Sequence, residues 1–280
     1  SKIAFIAAYV FSSLKVTRNC SKVDKGKGFS TPCSKKASVL SCSNDCLMLA
    51  NESGSLSSAS NFIKTLFEEE DACYAEPLVP TLFVPNHPEW FIWQSKRNGF
   101  NHLYLYGIDG NLIKQLTTGA WDVIDVKGFD AKGENLFFST TFISAISKNL
   151  MSVQLNTGKI KFLTSSNEVH NTQLSSDGTY VLDNYASPQN PRTIKIIDTK
   201  TGKSKIILEA ANPLSAYALG EMNIFTIKNN EGTDLYCRMF KPVNFDSTKK
   251  YPLIEYVYPG PQTEAVNKSF NKGISIKMTN

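Results

Sequence analysis

Between residues 89 and 210, short apolar runs and polar turns follow one pattern that occurs three times, at a spacing of about 45 residues. His102-Leu103-Tyr104-Leu105-Tyr106 runs into Asp109-Gly110-Asn111 and a second run that ends at Gln115-Leu116-Thr117. Asn149 to Leu155 leads in the same way through Asn156-Thr157-Gly158 to Lys161-Phe162-Leu163-Thr164. Thr193 to Ile197 leads through Lys200-Thr201-Gly202 to Ile206-Ile207-Leu208. Ahead of the second and third copies stand matched corners, Asp130-Ala131-Lys132-Gly133 and Ser175-Ser176-Asp177-Gly178, each followed by another apolar run. Gly, Asn and Asp at these corners are the residues that let a hairpin turn through positive φ. Each copy therefore reads as four short strands, and one such sheet cannot bury both faces alone. Stacked units of this size point to the blades of a β-propeller. An antiparallel sandwich gives no reason for the turn and the corner to recur together.

Either side of the repeat the texture changes. Residues 1–60 are crowded with Ser and Lys, show no period of 2 or 3.6, and end in a Ser/Gly/Asn stretch, so a packed domain is not expected there. Phe62 to Phe67 reads as a strand and Glu68-Glu69-Glu70-Asp71 as an exposed, solvated turn. Leu82 to Val84 and Trp90 to Ser95 read as strands, separated by a loop at Pro85-Asn86-His87-Pro88. Past the repeat, Met222 to Lys228 and Leu235 to Phe240 read as two strands hinged at Asn229 to Gly232. Tyr251 to Tyr258 is nearly continuous in apolar residues and stops at Pro259-Gly260-Pro261, the signature of a strand covered on both faces in an α/β sheet. The expected organisation is an irregular segment over 1–60, propeller blades over 61–215, and the start of a second domain over 216–280.

Composition narrows the function classes. With 280 residues and 41% hydrophobic positions, the chain can bury a real core. Its net charge of +5 is dispersed, without the basic run interleaved with aromatics that tracks a phosphate backbone, so nucleic acid is not an expected partner. Ile3 to Phe11 is too short to span a bilayer. It could form the end of a signal-peptide apolar region, although no small-x-small cleavage site follows it. Cys20, Cys33, Cys42, Cys46 and Cys73 cluster in the first quarter, away from Cys237. No histidine lies near them, which argues against a zinc site, and no role is assigned to them. His87, His102 and His170 fall in strand or loop positions of the repeat region and are expected to be structural.

Phe91 to Ser95, Asn101 to Tyr106, Thr118 to Val123 and above all Lys249 to Pro261 resemble the dipeptidyl peptidase IV branch of the prolyl oligopeptidase family, in its bacterial form. The resemblance runs from about residue 61 to residue 273. It implies a mainly β fold in which propeller blades are followed by the first strands of an α/β-hydrolase domain. It also implies a serine triad that removes dipeptides from peptide N-termini, usually after proline or alanine, without a cofactor or metal. The relatives' site implies an exported, periplasmic or cell-surface location. One catalytic residue carries over: Tyr258, whose hydroxyl would stabilise the oxyanion in the tetrahedral intermediate. Glu68-Glu69-Glu70 is similar to the family's ammonium-binding carboxylates but lacks their neighbouring residues. No Gly-x-Ser-x-Gly elbow occurs in the chain, and neither Asp nor His follows Tyr258. The tail after Gly273 does not continue the family's sequence. The expectation is a truncated or frame-disrupted copy of a larger peptidase, inactive by itself, whose parent acts on peptides. The competing expectation is a non-catalytic propeller used as a binding scaffold.

Overall fold

The computed structural model describes residues 81–164, 167–255 and 266–270, together with strands at 35–42, 46–50 and 63–71, of which side chains are described at 66–69. Among the described residues there is no helix. Strands β1 (Lys35–Cys42), β2 (Cys46–Ala50) and β3 (Ile63–Asp71) form a sheet in the order β2-β1-β3. Three four-stranded antiparallel sheets follow, each wound strand after strand. The first blade holds β4 (Leu82–Val84), β5 (His87–Ser95), β6 (His102–Gly107) and β7 (Leu112–Gln115). The second holds β8 (Val123–Phe129), β9 (Asn135–Thr140), β10 (Asn149–Gln154) and β11 (Ile160–Phe162). The third holds β12 (Val169–Leu174), β13 (Tyr180–Ala186), β14 (Thr193–Asp198) and β15 (Ser204–Glu209). A lone hairpin, β16 (Met222–Lys228) with β17 (Asp234–Phe240), comes last.

The period of 2 along the third strand of each blade decides how the blades stack. Tyr104 and Tyr106 face back, joining Phe91 and Trp93 against Leu66 and Phe67 of β3. Leu103 and Leu105 face forward, into a cluster with Met151, Val153, Leu136 and Phe138 of the second blade. Leu150, on the other face of β10, meets Val181 and Ile197 of the third. Phe91, Leu103, Leu136, Phe138, Met151, Val153 and Val181 are all fully enclosed. At about 1.5–3 kcal/mol for each such side chain, this burial is what holds one sheet on the next.

The corner glycines sit where two blades touch. Gly133 and Gly178 close the first hairpins of the second and third blades at φ 71° and 69°, and Asn86 does the same for the first at φ 63°. Asn is the side chain that best tolerates this backbone region, which is why the first blade keeps the turn without a glycine. Asn86 Nδ2 donates to Lys132 O (3.2 Å) and Ala131 N to Asp177 O (3.0 Å), so each corner is bonded to the next.

Three sequence expectations change. Glu68 to Asp71 is not a turn: β3 runs through it, paired with β1 in a register that sets Lys36 opposite Glu70 and Lys35 opposite Asp71. Strands β1 and β2 lie inside the stretch that showed no period; pairing rather than alternation makes them strands. Tyr251 to Glu255 is not extended into a sheet, and Leu253 and Ile254 are 84% and 75% exposed. No strand lies beside this segment among the described residues, so its apolar side chains have nothing to cover them.

Candidate functional site

Antiparallel winding sends the hairpins that carry Gly110, Gly133, Gly158, Gly178 and Gly202 to one end of the blades. The loops between second and third strands, and the crossings from blade to blade, go to the other. At this second end buried polar groups tie one loop to the next. Asp122, on the first crossing, accepts from Asn101 N at Oδ1 (2.7 Å), while its own N–H donates to Thr141 Oγ1 (2.9 Å). Asn101 Nδ2 donates to Val123 O (2.7 Å), so three loops are joined through one aspartate and one asparagine. Thr117 and Thr164 hold equivalent places, their hydroxyls accepting from Leu103 N (2.9 Å) and Leu150 N (2.8 Å).

His102 is buried beside Thr117, with ring nitrogens 3.1 Å from Thr117 Oγ1 and 2.9 Å from Gly119 O. Trp121 meets the ring edge-on. Both nitrogens are engaged and the ring is 1% exposed, so it cannot reach a substrate. His170 is equally buried, its Nδ1 2.8 Å from Asp183 Oδ2 and its Nε2 3.9 Å from Glu168 Oε2. Lys195 Nζ, 3.5 Å from Asp183 Oδ2, stands over the Tyr185 ring at 4.6 Å. A histidine on an aspartate is the base and orienter of a triad, but a triad needs the imidazole open to a nucleophile and substrate. This pair is enclosed between the second and third blades, at 1% and 0% side-chain exposure. His87 is half-buried and lies 3.2 Å from Glu89 Oε1; backbone hydrogen bonding first, and then this contact, hold the Glu89 carboxyl below its usual range.

Within the Glu68-Glu69-Glu70 run, Glu69 makes an ion pair with the first blade. Arg97, on the loop between β5 and β6, donates through Nη2 to Glu69 Oε1 and lies 4.2 Å above the Tyr104 ring. Burial works against the guanidinium charge, yet Tyr106 and Glu69 outweigh it and raise Arg97 above its ordinary value. Glu69 is therefore a partner of Arg97, while Glu68 is exposed. The sequence reading missed this contact, because Arg97 and Glu69 come together only through the stacking of β3 on the first blade.

The segment 266–270 returns to the same end of the blades. Lys268 N donates to Ile146 O (3.1 Å), on the loop between β9 and β10, and Arg238 of β17 donates through Nη2 to Asn267 O. Burial lowers both Arg238 and Lys268. An open depression of about 300 Å³ lies at the edge of the third blade, lined by Gln189, Asn190, Thr193 and Glu209 among others, without an enclosed apolar floor. Tyr258 lies outside the described residues, as do Cys20, Cys33 and Cys73. Cys42 and Cys46 are register partners at the β1–β2 turn, and Cys237 is a free, half-buried thiol in β17. No described helix is long and apolar enough to cross a membrane.

Comparison with known proteins places these blades. The sequence model of the dipeptidyl peptidase IV (DPP IV) N-terminal region matches residues 38–192. A probable dipeptidyl peptidase 4 of Arthroderma benhamiae is 28% identical over 66% of this chain and 25% of its own length. A probable dipeptidyl-aminopeptidase B of the same fungus is 30% identical over 72% of this chain and 24% of its own. The chain thus spans about a quarter of the length of these curated relatives. Among solved structures, a putative dipeptidyl aminopeptidase IV from Bacteroides ovatus superposes with a TM-score of 0.71 at 34% identity, over 77% of this chain and 33% of that one. Porphyromonas gingivalis dipeptidyl peptidase 4 shares the fold, with a TM-score of 0.68 at 22% identity over 75% of this chain and 30% of its own. Three register-matched blades, and a family match that covers more than half of the residues, make this chain a member of the dipeptidyl peptidase IV N-terminal-region family, built of propeller blades.

Proposed function

We propose that the chain supplies propeller blades, over 61–215, and the beginning of a peptidase domain, over 216–280, to a serine exopeptidase that removes N-terminal dipeptides from peptides, after proline or alanine. The observation that carries this reading is continuity. Blades of the dipeptidyl peptidase IV type run on in one polypeptide into the β16–β17 hairpin and the Lys249 to Pro261 motif. Support also comes from the return of residues 266–270 to the loop end of the second blade, the end at which a following domain would sit.

In this reading the blades restrict access and position the peptide, and Tyr258 donates its hydroxyl to the oxyanion as the scissile carbonyl becomes tetrahedral. The nucleophile and its base are not supplied by this sequence, which holds no Gly-x-Ser-x-Gly elbow and no Asp or His after Tyr258. The purified chain should not hydrolyse a chromogenic Xaa-Pro amide above the buffer rate. Turnover that a serine-directed inhibitor abolishes would refute the assignment of inactivity. For the role of Tyr258, the assay is a polypeptide that joins this segment to a complete catalytic domain. There Tyr258→Phe should lower kcat by about 10²- to 10³-fold, the usual loss for one oxyanion donor, with little change in KM. An unchanged kcat in a folded protein would remove Tyr258 from the mechanism.

A further inference from the structure

Asn98, on the loop between β5 and β6, is the only asparagine in the sequence that is followed by glycine. That neighbour matters chemically. A side-chain amide is open to attack by the main-chain nitrogen of the next residue, and glycine, without a Cβ, puts the least bulk in the way. The first blade has a sheet against each face, yet residues 96–100 are exposed. Gly99 takes φ 88°, and a Cβ built on it would meet nothing within 4 Å, so water and hydroxide reach the dipeptide freely.

Two hydrogen bonds set how often the reacting atoms are free to meet. Gly99 N donates to Lys96 O (2.7 Å), which closes the turn and occupies the attacking nitrogen. Asn98 Nδ2 donates to Tyr104 Oη (3.3 Å), which holds the side-chain amide towards the blade. Both bonds belong to an exposed turn, the kind of segment that opens locally at little cost in free energy.

We propose that Asn98 is a site of self-modification, converted to aspartate and isoaspartate at a rate set by opening of the turn from Lys96 to Gly99. The deprotonated Gly99 nitrogen attacks Asn98 Cγ. The bond between them forms, the Cγ–Nδ2 bond breaks, and ammonia leaves with the proton that the main-chain amide gave up. Water then opens the cyclic imide at either carbonyl, giving aspartate, or isoaspartate with the main chain rerouted through the side-chain carboxyl. Water enters, ammonia leaves, and nothing is oxidised or reduced. The product arrives beside a defined partner. Arg97 pairs with Glu69 and lies over the Tyr104 ring, so a carboxylate at position 98 competes with Glu69 for the guanidinium. The Tyr104 hydroxyl loses its amide donor in the same step. The modification therefore acts on the contact between β3 and the first blade.

Peptide mapping of the full chain, kept at mildly alkaline pH, tests this. A lysine-specific protease releases residues 97–114 as one peptide, in which Asn101 and Asn111 serve as internal controls. The expected result is an amide-to-acid mass gain that fragment ions place on Asn98, several-fold above either control. It should build up more slowly in the folded chain than in guanidinium chloride, where the turn is open. Asn98→Gln, whose longer side chain closes the ring poorly, should remove the gain from this peptide. The converted fraction, separated by ion exchange, should unfold at lower denaturant than the unconverted one. A gain at Asn98 no greater than at Asn101 and Asn111, or one in this peptide that persists undiminished in Asn98→Gln, would overturn the proposal. Equal rates in folded and unfolded chain would overturn control by the turn, and equal unfolding midpoints would overturn the link to Glu69.

Discussion

The corner glycines allow the stacking of blades to be measured separately from backbone preference. Gly178 and Gly202 both stand in the third blade with left-handed φ, 69° and 76°. Their surroundings differ. A Cβ at Gly202 would meet nothing within 4 Å, whereas a Cβ at Gly178 would lie 2.5 Å from Asp130 Cα and 2.7 Å from Phe129 O in the second blade. Gly202→Ala should therefore cost only the left-handed penalty, about 1–2 kcal/mol. Gly178→Ala carries the same penalty and must also push two backbones apart. Overpacking costs about 1–3 kcal/mol, and the hydrogen bond from Ala131 N to Asp177 O would stretch, at about 0.5–1.5 kcal/mol. The expected total is about 3–6 kcal/mol, a large share of the roughly 5–15 kcal/mol of an ordinary domain. Asn at each position separates the terms, because Asn tolerates this φ, as Asn86 does in the first blade. Gly202→Asn should be close to neutral and Gly178→Asn should remain costly. Urea denaturation followed by tryptophan fluorescence gives the four values. Equal losses at 178 and 202 would refute the claim that the corner is a contact between blades.

Lys161→Met should destabilise the chain by about 1–2 kcal/mol in the same urea assay, through loss of two charge-assisted hydrogen bonds to Thr199 O and Lys200 O. Asp183→Ala, which leaves His170 and Lys195 without their shared carboxylate in a closed interface, should cost about 3–5 kcal/mol; a loss below about 1 kcal/mol would show that the cluster is not electrostatically enclosed. Hydroxyls of Ser175 and Thr179 and the Thr179 N–H hold Asp177 at about 2, below its ordinary value. A depressed carboxyl contributes stability above its unfolded pKa and loses it as pH falls through the folded one, so the contribution should fade between about pH 4 and pH 2. Asp177→Asn should flatten that part of the stability curve measured by circular dichroism; an unchanged slope would remove Asp177 from the acid response.

The repeat was legible because its signal is local. A hairpin that must turn through positive φ selects Gly, Asn or Asp whatever surrounds it, so Gly110, Gly158 and Gly202 mark one position, and Gly133 and Gly178 another, in the bare sequence. Asn86 belongs to the second series and was read only as part of a loop, because a lone Asn before His87-Pro88 has no distinguishing local context. Lys161 also lies in the sequence, but its role depends on which strand residue it faces and on the carbonyls of another blade. Spacing alone cannot supply either. His170, Asp183 and Lys195 come from three strands and meet only through cross-strand register, which apolar alternation does not reveal.

Two of the segments whose character changed between sequence and structure did so for opposite reasons, and both follow from what makes a strand. Glu68-Glu69-Glu70-Asp71 has poor strand propensity, yet it is extended because β1 lies alongside and accepts its main-chain hydrogen bonds. Arg97 then pairs with the Glu69 carboxylate. Tyr251 to Glu255 has the composition of a buried strand but no described neighbour to pair with, and its Leu253 and Ile254 stay in water. Propensity is a weak term of about 1 kcal/mol across its whole scale, whereas pairing and burial act on every residue of the segment. The strand character of residues 251–255 is thus a property that a partner sheet would have to confer.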